Sequence, residues 1–163
     1  MRRLNPEHIK AVIKIINQGP YLKLLSMEAR EIGEGYCQFE AFLGSKHLNP
    51  LGGIHGGVYS SLIDTATYWA VYCDVEEDIS FTTLDVNVNN LAVTKTSRII
   101  VEGKRIKVGK TICVAEANII DNEGKHLAHG TSKLIVVPGA QTVSQLVAAI
   151  GFPPLPPKFI NQD

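Results

Sequence analysis

The sequence predicts an α+β fold in which an antiparallel sheet of six strands wraps around one long central helix. Three observations lead there. Residues 58–72 are mostly apolar, with Val58, Leu62, Ile63, Ala66, Trp69 and Ala70 spread over most of a helical circumference, so the helix they form is buried on nearly all sides. Two strand-like runs precede it, at 24–32 and 36–43, and four follow, at 81–91, 98–107, 111–120 and 126–137. The order helix, two strands, buried helix, four strands lacks the regular strand–helix alternation of a parallel sheet and contains no internal repeat.

Each element has a local reason. Ile9, Val12, Ile13 and Ile16 recur at helical spacing over 6–17, Asn5 is a suitable cap with Pro6 at the first position, and Gly19-Pro20 ends the helix. Ile32-Gly33-Glu34-Gly35 is a turn between the first two strands. Residues 47–57 form a loop rich in Gly, Pro and Asn that runs into the central helix. The strand at 81–91 alternates, with Leu84, Val86 and Val88 on one face and Thr83, Asp85, Asn87 and Asn89 on the other. Val108-Gly109-Lys110 links the next two strands, and Asp121-Asn122-Glu123-Gly124 turns into the last. Residues 1–140, with the N-terminal helix at 6–18, are expected to form one domain. Residues 141–163 add a short helix at 143–150 and a stiff proline-rich tail, read as a strap along the subunit surface rather than a proline-recognition ligand.

Composition narrows the function. Sixteen basic residues balance 16 acidic ones, so nothing favours nucleic acid, and the absence of net charge leaves self-association unopposed. Cys37, Cys73 and Cys113 are widely spaced with no CxxC pair, which points to reduced, buried thiols rather than a zinc site or a redox dithiol. The first 18 residues lack the apolar centre of a signal peptide, and no run approaches the roughly 20 apolar residues of a membrane span. A cytoplasmic protein without a membrane partner is the expectation.

Chemistry concentrates around the central helix. Gly56 and Gly57 at its start let a ligand approach the backbone, and the first amides of a helix carry the positive end of its dipole without internal acceptors. That combination suits an anion or a developing oxyanion. Asp64 lies in the middle of the same helix, and a carboxylate on an apolar helix is costly to bury unless it is hydrogen-bonded or functional. It is a candidate general base for water or a nucleophile toward a carbonyl. Asn49 and His55 are nearby polar groups that could orient a carbonyl or a water, and Thr83 on the next strand could hold the water.

With those residues in place, the chain resembles the hotdog-fold acyl-CoA thioesterases of the phenylacetate-pathway and human thioesterase-superfamily type. The resemblance rests on four ordered blocks: Asn49 followed by His55-Gly56-Gly57 and Leu62-Ile63-Asp64; Thr83-Leu84-Asp85-Val86-Asn87-Val88; Lys107-Val108-Gly109-Lys110-Thr111; and Gly124-Lys125-His126-Leu127-Ala128-His129-Gly130. It covers roughly residues 20–137. It implies hydrolysis of an acyl-CoA to free acid and CoA, with Gly56 giving the oxyanion amide, Asp64 the base or nucleophile, Asn49 and His55 orienting the thioester and water, and Thr83 positioning the water. It further implies that the Gly109-Lys110 turn holds coenzyme A, with Lys107 and Lys110 near its phosphates. No metal or separate cofactor is needed, since CoA is part of the substrate, and a homodimer, paired again into a homotetramer, is expected. Leu91-Ala92-Val93-Thr94 departs from the Arg-Pro often found after that strand, and the tail beyond Pro138 is longer than usual.

Two other readings compete. A non-catalytic acyl-CoA-binding protein would keep the pocket and dispense with Asp64. An enoyl-CoA hydratase of a related group needs an Asp and a His close together on one loop-helix unit, whereas Asp64 follows His55 by nine residues.

Overall fold

The computed structural model describes residues 2–161. In chain order its elements are β1 (Arg2–Leu4), α1 (Pro6–Ile16), α2 (Pro20–Leu24), β2 (Met27–Gly33), β3 (Tyr36–Phe42), a 3-10 turn (Ser45–His47), α3 (Gly56–Tyr72), β4 (Phe81–Asn90), β5 (Arg98–Lys107), β6 (Ile112–Asp121), β7 (His126–Val136), α4 (Val143–Ala149) and β8 (Phe159–Asn161). The six-stranded sheet has the order β2-β3-β5-β6-β7-β4, antiparallel throughout. The predicted α+β architecture is therefore the one observed, with α3 packed across all six strands.

The core is the seam between α3 and the sheet. Leu62, Ile63, Ala66, Ala70 and Val71 of the helix are fully buried. On β6 every second residue, Cys113, Ala115, Ala117 and Ile119, is fully buried beneath it. The seam is close-fitting: a Cβ on Gly103 of β5 would lie 2.4 Å from the Ala66 carbonyl oxygen. All three cysteines are free and buried. The Cys37 thiol donates to the Ala66 carbonyl at 3.0 Å, and burial pushes its pKa up.

Three features differ from the sequence reading. The run at 24–32 becomes a strand only from Met27, because Gly19 and Pro20 start the short helix α2 and Ser26 turns the chain with a positive φ of 51°. In β4 a bulge interrupts the ladder between Thr83 and Asp85. The extra residue is Leu84, which is 55% exposed, and the alternation changes phase there. Thr83 therefore does not share a face with Asp85, Asn87 and Asn89; it pairs with the buried Leu134 and faces α3. Finally, β1 and β8 form a second, two-stranded sheet, because the proline-rich tail returns to the N-terminus of its own chain.

That return is well anchored. Asn5 caps α1 through its side chain and donates from Nδ2 to the Pro157 carbonyl at 2.8 Å. His8, buried, bridges the Pro156 carbonyl (2.6 Å) and the Tyr72 hydroxyl (2.7 Å). Lys158 is buried as well and donates from Nζ to the carbonyls of Tyr72 and Val75, so the tail closes the C-terminal end of α3. Met1 and the last two tail residues, Gln162 and Asp163, lie outside the described residues. No helix among the described residues is long and apolar enough to cross a membrane.

Candidate active site

The loop before α3 is organised by Asn49. Its Oδ1 accepts from the amides of Leu51 (2.9 Å) and Gly53 (3.2 Å), and its own amide donates to the Gly53 carbonyl at 2.7 Å. Gly52 at φ 82° completes the tight turn. The buried His47 fixes the other side of the loop: its Nε2 lies 2.8 Å from the Leu25 carbonyl, and its backbone carbonyl accepts from the His55 amide at 2.9 Å.

His55 is the N-cap of α3. Its Nδ1 accepts from the Gly57 amide at 2.9 Å. In the neutral ring the proton then sits on Nε2, leaving a donor for a carbonyl oxygen or a water. Gly56, the first helical residue, has an amide with no intrahelical acceptor at the positive end of a 17-residue helix. A Cβ there would lie 2.9 Å from Asn90 Nδ2, so this position is crowded as well as electropositive.

Asp64 lies on the stripe of α3 that the sheet leaves half-exposed, with Ser60, Ser61, Thr65, Tyr68 and Trp69. The Thr83 hydroxyl, turned toward the helix by the β4 bulge, donates to Asp64 Oδ1 at 2.7 Å. Oδ2 has no protein partner among the described residues. The Thr83 oxygen keeps lone pairs that can accept from a water next to the carboxylate.

The predicted residues thus fall into three groups within one chain. Asn49, His55 and Gly56 gather at the start of α3. Asp64 and Thr83 meet at its middle, about 12 Å further along at about 1.5 Å per residue. Lys107, Gly109 and Lys110 are beyond its far end, where Gly109 and Lys110 line a cleft with Asp74, Val75 and Ile79. Gly109 has a local reason to be glycine, since a Cβ would meet the Ile112 carbonyl at 2.6 Å. Among the described residues no group of three or more His, Cys, Asp or Glu side chains is arranged to hold a metal ion.

Sequence reasoning passed over several neighbours. Asn90 and Tyr59 line a cleft beside Gly56, and the Tyr59 hydroxyl is buried without a partner among the described residues. Tyr68 is one turn beyond Asp64, and that i+4 spacing was the available signal.

A family model described as the thioesterase superfamily matches residues 51–128, a span holding Gly56, Asp64 and Thr83. The chain has the hotdog fold, and over that span it is similar to the thioesterase superfamily. Human acyl-coenzyme A thioesterase 13 is 25% identical over 126 residues, covering 76% of this chain and 88% of that protein. The PaaI protein of the E. coli phenylacetic acid degradation operon superposes with a TM-score of 0.74 at 18% identity, covering 84% of this chain and 98% of PaaI. A hypothetical thioesterase of Streptococcus pneumoniae, solved with coenzyme A, gives a TM-score of 0.63 at 22% identity over 71% of this chain and 88% of that one. These two structures share the fold, and the family-model match with the thioesterase 13 likeness supports thioester hydrolysis as the type of activity.

Proposed function

We propose that this chain is a thioesterase of that superfamily and hydrolyses an acyl-CoA to the free acid and CoA. The observation that carries the reading is the Asp64 carboxylate, the one acidic group on α3, half-buried and joined by the Thr83 hydroxyl at 2.7 Å. Asp64 acts as general base: it takes a proton from a water held beside Thr83, and the water oxygen bonds to the thioester carbonyl carbon. The carbonyl oxygen becomes an oxyanion against the Gly56 amide, with the His55 Nε2–H and the Asn49 loop beside it. Collapse breaks the C–S bond, and the proton on Asp64 passes to the CoA thiolate. The Gly109 turn, with Lys107 and Lys110, takes the CoA phosphates; binding of CoA itself is supported by the S. pneumoniae structure of this fold solved with coenzyme A. The protein works in the cytoplasm as a homodimer, assembled again as a dimer of dimers.

Thiol release over a panel of acyl-CoAs tests this. Asp64→Asn is nearly isosteric, so its thermal midpoint should stay within a few degrees of wild type while kcat falls by about 10² or more, the scale of losing a positioned base. Near-wild-type turnover by a folded Asp64→Asn protein removes Asp64 from the mechanism. Tight acyl-CoA binding with no thiol release by the wild type favours the non-catalytic binding protein instead.

A further inference from the structure

One turn beyond Asp64 on the same half-exposed stripe of α3 lies Tyr68, followed by Trp69. Both rings open into a cavity of about 320 Å³ that α1 and α4 close from outside the sheet. Val12 and Ile16 of α1 form one wall, and Leu146 and Val147 of α4 the other. Every lining residue is apolar or aromatic, and none carries a charge. The volume is at the lower end of the roughly 300–1,000 Å³ typical of small-molecule sites. The cavity is also tied to the chemistry from the sheet side: Phe81 packs on Tyr68 with ring centroids 4.5 Å apart, and two residues along β4 Thr83 donates to Asp64.

We propose that this cavity receives the apolar acyl chain of the thioester whose carbonyl is held at Asp64. The inference rests on the hydrolytic reading above and gives it a substrate class: an uncharged acyl chain of medium length, extending from Asp64 past Tyr68 toward Trp69. The nucleotide end of CoA finds no cation here and leaves in another direction. Neither α1 nor α4 falls within residues 51–128, so both walls lie outside the stretch that the family model matches. They are also what the long tail accomplishes. Ser80 Oγ donates to the Gln141 carbonyl at 2.6 Å just before α4, and Lys158 fastens the chain beyond it, so α4 is held over the cavity at both ends.

Trp69 is the only tryptophan in the chain, which gives a readout independent of catalysis. Sodium decanoate titrated into the wild-type protein should shift Trp69 fluorescence saturably, and acetate should not. Leu146 is 47% exposed at the cavity rim, so Leu146→Glu should fold, and it places a charge where the chain enters. Leu146→Glu should weaken the decanoate response at least tenfold and lower kcat/KM for decanoyl-CoA at least tenfold more than for acetyl-CoA. Ile150→Glu, at a position 64% exposed, should act in the same direction. A wild type that hydrolyses neither thioester but shows the Leu146-dependent decanoate response supports the chain site and removes the hydrolytic reading. A wild type that hydrolyses acyl-CoA with no decanoate response, or with a chain-length preference untouched by both variants, overturns the chain site alone.

Discussion

Asp64 and Thr83 are 19 positions apart and meet at 2.7 Å because a bulge turns one strand residue toward the helix. Single residues at the other end of α3 are equally consequential. Lys158 is 1% exposed, and its ammonium binds the Tyr72 and Val75 carbonyls and lies 4.0 Å from the centre of the Tyr72 ring. Burial outweighs these contacts and lowers its pKa from 10.5 to about 8. The folded chain therefore releases this proton near pH 8, while the unfolded chain keeps it until near 10.5. Between those values the unfolded state binds more protons, so the Lys158 contribution to stability rises with pH. The neighbouring Cys73 thiol acts in the opposite sense: burial raises it from 9 to about 12, and stability is lost above pH 9 as the unfolded chain ionises. Urea denaturation from pH 7 to 9 isolates the lysine. Wild type should gain on Lys158→Met by roughly 1 kcal/mol per pH unit above pH 8, close to the limit for one proton. A difference that stays flat over this range means that Lys158 remains protonated in the folded chain.

The central element depends on how closely α3 approaches the sheet. Cβ atoms at two strand glycines would collide with it: at Gly103 with the Ala66 carbonyl (2.4 Å), and at Gly130 with Ile63 Cγ2 (2.8 Å). The Ala66 contact is with backbone, so it is not relieved by a rotamer change. Gly103→Ala should cost about 1–3 kcal/mol in urea unfolding, the range for overpacking a core. It should also lower kcat, because lifting α3 separates Asp64 from Thr83; unchanged stability and turnover would mean that the seam has room. This seam also explains what the sequence revealed. The apolar circumference of residues 58–72 and the six strand runs were legible because both report burial directly, and Asp64 was conspicuous as an acid among apolar neighbours. The face of Thr83 was not, since strict alternation carries no mark of a bulge. Lys158 reads as a solvated residue in a proline-rich tail, and its burial follows from helix-end carbonyls supplied by residues more than 80 positions earlier. The acyl cavity was hidden for the same reason: its walls come from both ends of the chain.

At the scale of the whole molecule, one chain does not bring its candidate groups into reacting distance. Gly56 and Asp64 are separated by about 12 Å along α3 at about 1.5 Å per residue. A water acting for Asp64 must come within about 3–3.5 Å of the carbonyl carbon whose oxygen the Gly56 amide holds. A short aspartate on the same helix does not span that gap. The unclad stripe of α3, from Ser60 to Asp64, is the face that an antiparallel α3 of a second subunit would meet. A two-fold axis there sets Asp64 of one chain opposite Gly56 of the other and generates two equivalent composite sites. The exposed side chains of Leu51, Leu91 and Val93, near the start of α3, suit burial in the same contact. Mixed dimers test the arrangement. Asp64→Asn and Asn49→Ala are each inactive as homodimers under this reading. Random exchange at equal amounts gives half heterodimers, each with one intact site of two, so activity should return to about a quarter of wild type. Heterodimers confirmed by mass spectrometry that remain as inactive as both parents would mean that Asn49 and Asp64 of the same chain serve one site, and that the separation along α3 is bridged within the subunit.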